Sequence, residues 1–135
     1  MSLKTYDIAN VNLVVGGRTI TGLADGTVIQ AEKNADSFTS HVGVKGEVTL
    51  AENNDSTGTI TVTVKNTSPS YPYLTQLGNR KGRNAIVPAQ IVDFNENSVQ
   101  AGGSEARVMR PANASWSDEE TSREFQIFVA DFSMR

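Results

Sequence analysis

The chain has 135 residues, enough for one domain around one core, and its formal net charge of −3 does not advertise a nucleic-acid or anionic-membrane binder. It has no cysteine, which excludes disulfides and thiolate metal sites without fixing a compartment. No stretch nears the ~18 apolar residues of a membrane span, and Met1–Asp7 lacks the apolar run of a signal peptide, so synthesis in a cytoplasm is expected. The sequons at Asn54, Asn66 and Asn113 then read as chance in a chain rich in Thr, Ser and Asn.

Val11–Val15 reads as a strand closed by Gly16-Gly17, which supply the positive φ of a tight hairpin turn. Arg18–Leu23 is the expected return strand, Ala24-Asp25-Gly26-Thr27 a second turn and Val28–Lys33 a third strand. After a break at Asn34–Ser37, Phe38–Val44 and Glu47–Glu52 form a pair around Gly43 and Lys45-Gly46. The polar tract Asn53–Gly58 leads into Thr59-Ile60-Thr61-Val62-Thr63-Val64, where threonines alternate with aliphatics without a break. Side chains on a strand switch faces at each residue, so this strand has one dry and one wet face. A slip of one residue would put all three aliphatics in water.

Ser68 then caps a helix with Pro69 at its first position, and Tyr71, Leu74 and Leu77 follow at helical spacing. Pro72 moves the expected start toward Tyr71, and Gly78 or Gly82 ends the helix. Asn84–Phe94 resumes as a strand that Pro88 confines to an edge or a bulge. A weak segment lies between Asn95–Asn97 and Gly102-Gly103, then Glu105–Arg110 forms a strand stopped by Pro111. Asn113–Thr121 is a loop carrying the only tryptophan, Trp116, beside Asp118-Glu119-Glu120. The last strand, Glu124–Phe132, is apolar on both faces: Phe125, Ile127 and Val129 on one, Phe128, Ala130 and Phe132 on the other. Short strands at intervals of roughly ten residues, with turn signals between them, indicate a mainly β, antiparallel sandwich or barrel with one short α-helix.

Residues for chemistry are scarce. His41 is the only histidine, no G-x-S-x-G elbow accompanies it, and its plain reading is a polar residue on the wet face of a strand. Asn53–Asp55 lacks calcium-loop spacing, and Asp118-Glu119-Glu120 reads as a solvated loop. Arg80-Lys81-Gly82-Arg83 is the basic cluster, in a stretch from Ser56 to Val92 without a single Asp or Glu. Cations at a helix C-terminus account for it most simply, with protein docking ahead of phosphate contact. No Walker or Rossmann glycine pattern is present, and no enzyme, metal or cofactor is implied.

Two stretches carry a resemblance. One is Phe38-Thr39 through Gly43, Gly46–Thr49 and Asn53-Asn54; the other is Gly58–Val64 followed by Ser68-Pro69-Ser70. Tyr6-Asp7, Val15-Gly16-Gly17, Ile20-Thr21-Gly22, Ala24-Asp25-Gly26 and Asp36-Ser37 fit the same pattern. Together they resemble a family of tail-tube structural proteins of contractile-tailed bacteriophages, over about residues 4–70 and again at Thr121–Phe125. The resemblance implies a single tail-tube domain spanning the chain, with the fold shared by the hemolysin-coregulated tube protein of type VI secretion. Its strands would join a cross-subunit barrel in a hexameric ring, and stacked rings would form a conduit inside a sheath. Some ~24 strands, at ~4.8 Å each and tilted by ~40°, close into a circle roughly 45–50 Å across, which admits duplex DNA.

The partners so implied are further copies of the chain, a tail sheath protein, baseplate and tail-terminator proteins, a tape-measure protein and double-stranded DNA. The protein would reside in the virion tail. Thr59, Thr61 and Thr63, with Thr39 and His41 taken to lie on the adjacent strand, are expected to line the bore. A neutral lining would let DNA pass without holding its phosphates. Leu3, Tyr6, Lys45, Glu47, Asn53, Asn54, Asp55, Phe128 and Phe132 are expected at contacts between subunits or rings. Arg80, Lys81 and Arg83 are expected to face an acidic sheath. The rivals are a protein-translocating tube of a secretion or bacteriocin machine and a monomeric β-sandwich binding module with Trp116 as its exposed aromatic.

Overall fold

The computed structural model describes residues 3, 5–26, 29–95 and 99–135. Thr27, Val28, Asn97 and part of the N-terminal segment, which figure in the expectations above, lie outside the described residues. The strands are β1 (Val11–Val15), β2 (Arg18–Thr19), β3 (Ile29–Lys33), β4 (Phe38–Val42), β5 (Val48–Glu52), β6 (Gly58–Lys65), β7 (Val87–Asp93), β8 (Ala101–Val108), β9 (Ser122–Val129) and β10 (Ser133–Met134). One helix, α1 (Ser70–Asn79), stands among them. Eight strands form one antiparallel sheet in the order β2-β1-β7-β8-β9-β6-β3, with β10 paired to β8, while β4 and β5 form a separate two-stranded sheet.

The threonine–aliphatic alternation does what its period dictates. On β6, Ile60, Val62 and Val64 are fully buried and Thr59, Thr61 and Thr63 are half-buried on the opposite face. Burial contributes roughly 1.5–3 kcal/mol for each aliphatic side chain. β9 runs beside it in register, Ile60 opposite Ile127 and Val62 opposite Phe125, so the two dry faces merge. Leu13 and Val15 of β1, Ala89 and Ile91 of β7, and Ala106 and Val108 of β8 extend the same core. α1 adds Leu74 and Leu77 to it, positions three apart on one helical face.

The Gly16-Gly17 hairpin forms as expected, with φ of 61° and 82°. The return strand is shorter than Arg18–Leu23, because the chain leaves β1 after Thr19 to reach the other side of the sheet. There Leu23 bridges Val64, and Lys65 donates its backbone N–H to the Gly22 carbonyl at 2.9 Å. β7 is central rather than at an edge. It tolerates Pro88 because its register against β8 shifts between Val87 and Ala89, the bulge allowed by the sequence. The first residues of the expected strand, through Ala85, are a short 3-10 turn instead. Gly102-Gly103 lies inside β8, where side chains would crowd the Ala89 carbonyl and Asp131.

α1 begins at Ser70, one residue before the expected start, with Pro69 as its cap residue. Pro72 falls in the first turn, where a backbone N–H has no intrahelical acceptor, so its missing donor costs nothing. Ser68 still serves the helix start: its Oγ accepts from the Ser70 N–H at 3.1 Å and donates to the Thr21 carbonyl at 2.5 Å.

The last strand departs most from expectation. β9 stops at Val129, and after a turn at 130–131 Phe132 is only 7% exposed, inside the chain's own core. Its ring lies against Gly58, where any side chain would collide with it. A second apolar face on this strand therefore reduces to half-buried Phe128.

Candidate assembly surface

β3–β4 and β5–β6 are two halves of one long ribbon. Lys33 pairs with Gly58 and Phe38 with Glu52, so residues 34–37 on one strand stand opposite 53–57 on the other. That one-residue excess is a bulge, and it breaks the ribbon into a body segment in the main sheet and a free arm. The arm pairs Thr39 with Ala51, Ser40 with Leu50, His41 with Thr49 and Val42 with Val48.

Every residue of β4 and β5 is exposed. By ladder parity one arm face carries Phe38, Ser40, Val42, Val48, Leu50 and, at its base, Glu52, and the other carries Thr39, His41, Thr49 and Ala51. Phe38, Val42, Val48 and Leu50 are 50%, 70%, 61% and 57% exposed. A lone hairpin is marginally stable in water at best. This one has an apolar face that no described residue of its own chain covers.

The break between arm and body is held by short polar bonds. Asn34 Oδ1 accepts from Thr59 Oγ1 at 2.9 Å, and Asn34 Nδ2 donates to Thr57 Oγ1 at 3.0 Å. Asn53 Oδ1 accepts from the Asp55 N–H, and Asp55 Oδ1 accepts from the N–H and hydroxyl of Thr57. These last bonds, the Thr57 hydroxyl first, hold the Asp55 carboxyl below its usual range. Asn53 and Asp55, expected at ring contacts, thus spend their side chains on Asx turns that shape the base of the arm. Phe132 joins them, its N–H donating to the Ser56 carbonyl at 3.0 Å. Phe132, expected at a contact between subunits or rings, is 7% exposed in the isolated chain. Lys45 and Glu47 lie exposed at the arm tip, where Gly43 N–H donates to the Glu47 carbonyl at 2.7 Å.

The structure separates the residues expected to share a lining. β6 has β9 and β3 as neighbours, not β4, so Thr39 and His41 lie on the arm and not on the strand adjacent to the threonines. Nor is the threonine face neutral. Glu32 pairs with Thr59 and Glu124 with Thr63, while Gln30 and Gln126 flank Thr61 and Phe128 also pairs with Thr59. Alternation along one strand revealed its two faces, but which carboxylates stood beside them depended on distant pairing.

Elsewhere, Arg80, Lys81 and Arg83 are exposed just beyond α1, and Arg107 joins them by donating to the Arg80 carbonyl at 3.2 Å. Leu3 and Tyr6 are 89% and 69% exposed. Tyr6 adjoins Asp7, whose backbone N–H and carbonyl both bond the Asn95 side chain. Asn54 is exposed and carries no role that the fold assigns.

Two residues escaped sequence reasoning. Arg123 is 1% exposed, and its guanidinium donates to Tyr71 Oη, Thr121 Oγ1 and the carbonyls of Ser115 and Ser122. It shares parity with Phe125, Ile127 and Val129, which was the signal available. Asp131 replaces a stretch of missing ladder between β8 and the C-terminal turn. Its carboxylate accepts from Ser104 Oγ and from the Ser104 and Glu105 N–H groups, and these bonds hold its pKa at about 2.

An open depression of about 500 Å³ between β1, β7, β8 and the C-terminus is lined by Gln90, Gln100, Gly102, Asp131 and Arg135 among others. Its Asp131 already accepts three hydrogen bonds from Ser104 and Glu105. Among the described residues no three His, Asp or Glu side chains converge as metal ligands. No helix of the described residues is long and apolar enough to cross a membrane.

No protein-family model matches the sequence, and no curated protein matches it. Solved structures do match the fold. A chain of the sheath/tube terminator of the extracellular contractile injection system PVC, in its extended state, aligns with a TM-score of 0.66 at 9% identity, over 100% of this chain and 99% of that one. A chain of the PVC sheath–tube complex gives 0.65 at 10% identity, over 97% and 91%. A chain of the anti-feeding prophage cap, the AFP tube terminating cap, gives 0.63 at 12% identity, over 100% and 94%. At such identities the likeness establishes a shared fold, that of chains found in the tube, terminator and cap structures of contractile injection systems.

Proposed function

We propose that this chain is a structural subunit that polymerises as stacked, hexameric rings into the hollow inner tube of a contractile, phage-tail-like particle. The observation that carries this reading is the free arm, an amphipathic ribbon whose Phe38, Val42, Val48 and Leu50 face is left uncovered by the described residues of its own chain. A second copy supplies the cover. Assembly also removes the liability of the open sheet edges at β2 and β3, which would otherwise template disordered association. The fold likeness to chains of sheath–tube and terminator structures supports the same conclusion.

In this assembly the wet face of β6 turns to the bore. Thr59, Thr61 and Thr63, with Gln30, Gln126 and the carboxylates of Glu32 and Glu124, make a polar, mildly anionic wall. Such a wall repels phosphates and lets duplex DNA slide. On this reading Thr39 and His41, which share the polar face of the arm with Thr49 and Ala51, extend the polar lining along it. The cargo assigned on this reading is double-stranded DNA, and the particle a virion tail with sheath, baseplate, terminator and tape-measure partners. A second reading, protein cargo, is favoured by the kind of particle in the matching structures, contractile injection systems.

Negative-stain electron microscopy of the purified protein across a concentration series, paired with size-exclusion chromatography, tests the proposal. Rings or hollow tubes with a bore of at least about 20 Å, the width of a duplex, are expected. A monomer that stays monodisperse at every concentration, and on mixing with the other components of its particle, would overturn it. Nucleic acid or polypeptide recovered from native particles then separates the two cargo readings.

A further inference from the structure

The charge of this chain is laid out along α1. At the C-terminal end of the helix stand Arg80, Lys81 and Arg83, with Arg107 fixed beside them by its bond to the Arg80 carbonyl. Among the described residues no carboxylate pairs with any of the four; Arg80 and Arg107 spend guanidinium donors on backbone carbonyls instead. At the N-terminal end of the helix stands the exposed loop Asp118-Glu119-Glu120. It is held there by Thr67, whose hydroxyl donates to Glu120 Oε1 at 3.0 Å. Arg123 adds a second tie, gripping the Ser115 carbonyl at 2.8 Å and Tyr71 of the helix at 3.2 Å. Ten helical residues span about 15 Å, so the two charged sites are well apart on one molecule.

We infer that the basic corner Arg80, Lys81, Arg83 and Arg107 docks on the acidic loop Asp118-Glu119-Glu120 of a second copy of this chain, joining neighbours head to tail. The inference rests on the reading of the chain as a ring-forming subunit and names the contact that sets the order of copies within the ring. A head-to-tail contact closes into a ring when its rotation allows, whereas a two-fold contact stops at a dimer. A nucleic acid is the poorer occupant. Four of the 12 Lys and Arg residues sit in this corner, and a long polyanion lying on it would also meet the 15 Asp and Glu residues spread over the rest of the chain. A short acidic loop meets only the corner. It is also already ordered, so docking loses little conformational freedom.

Charge reversal in the full-length chain tests this. Variants Arg80→Glu/Lys81→Glu/Arg83→Glu and Asp118→Lys/Glu119→Lys/Glu120→Lys alter exposed side chains; the second gives up the exposed Thr67–Glu120 bond but keeps the Arg123 tie to Ser115, so both should melt close to the wild type. Each alone is expected to raise the critical concentration for assembly by at least about tenfold, and the six substitutions together in one chain to restore it. Added salt should weaken wild-type assembly. Reversals that leave the critical concentration unchanged would overturn the inference while the tube reading stands. So would a six-fold variant no better than the worse of its two parents. A basic-corner reversal that spares tubes but abolishes co-assembly with sheath subunits would overturn it too, and would assign the corner to the sheath. Wild-type protein that forms no assembly at any salt concentration, alone or mixed with the other components of its particle, would overturn the tube reading itself.

Discussion

Replacing Leu50 by Asp puts the arm to the sharpest test. Leu50 is 57% exposed in the isolated chain and lies on the uncovered apolar face, opposite Ser40 and diagonal to Phe38 and Val42. Its exposed part amounts to about 100 Å² of apolar surface, which at ~25 cal/mol per Å² is worth roughly 2.5 kcal/mol if assembly buries it. The aspartate adds the cost of desolvating a carboxylate without a partner. A deficit of ~2.5 kcal/mol is a factor of roughly 70 in an association constant. The critical concentration of Leu50→Asp, read by pelleting and light scattering, should therefore rise by one to two orders of magnitude. The melting temperature of the monomer should stay within about a degree, because an exposed surface substitution changes stability by less than ~0.5 kcal/mol. Thr49→Asp, on the polar face of the same strand, is the control and should assemble nearly as the wild type does. Unchanged assembly of Leu50→Asp, or a monomer that melts many degrees lower, would refute the argument that this face is reserved for another copy.

Asp131 has its pKa lowered to about 2 from 3.8, so its bonds stabilise the fold above the unfolded value and that contribution fades as pH falls from about 4 toward 2. Discounted for solvent screening, the effect is on the order of 1 kcal/mol; urea midpoints of wild type and Asp131→Asn should differ at pH 7 and converge near pH 2. A gap that survives at pH 2 would assign the loss to something other than charge. Arg123→Met orphans the Ser115 and Ser122 carbonyls and should cost about 1–3 kcal/mol, while freeing Trp116, which lies 5.9 Å from the guanidinium. Lower fluorescence anisotropy of this already exposed indole would show the release, and Arg123→Lys should not restore it because an ammonium lacks the planar fork. Gly58→Ala drives a methyl group into the Phe132 ring and should destabilise by about 1–3 kcal/mol in chemical denaturation. Pairing it with Phe132→Leu should recover part of that loss; strict additivity of the two would argue against the contact.

The sequence by itself determined the local grammar. The alternation of β6, the Gly16-Gly17 turn, the Ser68 start of the helix, the loop around Trp116 and the mainly antiparallel β class all follow from patterns within a dozen residues. Side-chain period and turn chemistry are short-range properties, and a reader of the chain has them in full. Tertiary structure decided everything that depends on which strand lies beside which. It put β7 at the centre of the sheet and turned Pro88 into a bulge. It placed Glu32 and Glu124 beside the threonines, carried Thr39 and His41 away onto an arm, and buried Phe132 against a glycine 74 positions earlier in the chain. It also brought Arg107 to the basic corner and hid Arg123 in the core. Pairing partners in such a sheet are separated by tens of residues, and the free energy that selects them comes from burying the merged dry faces together. No single segment holds that term, so the chain states it only when folded.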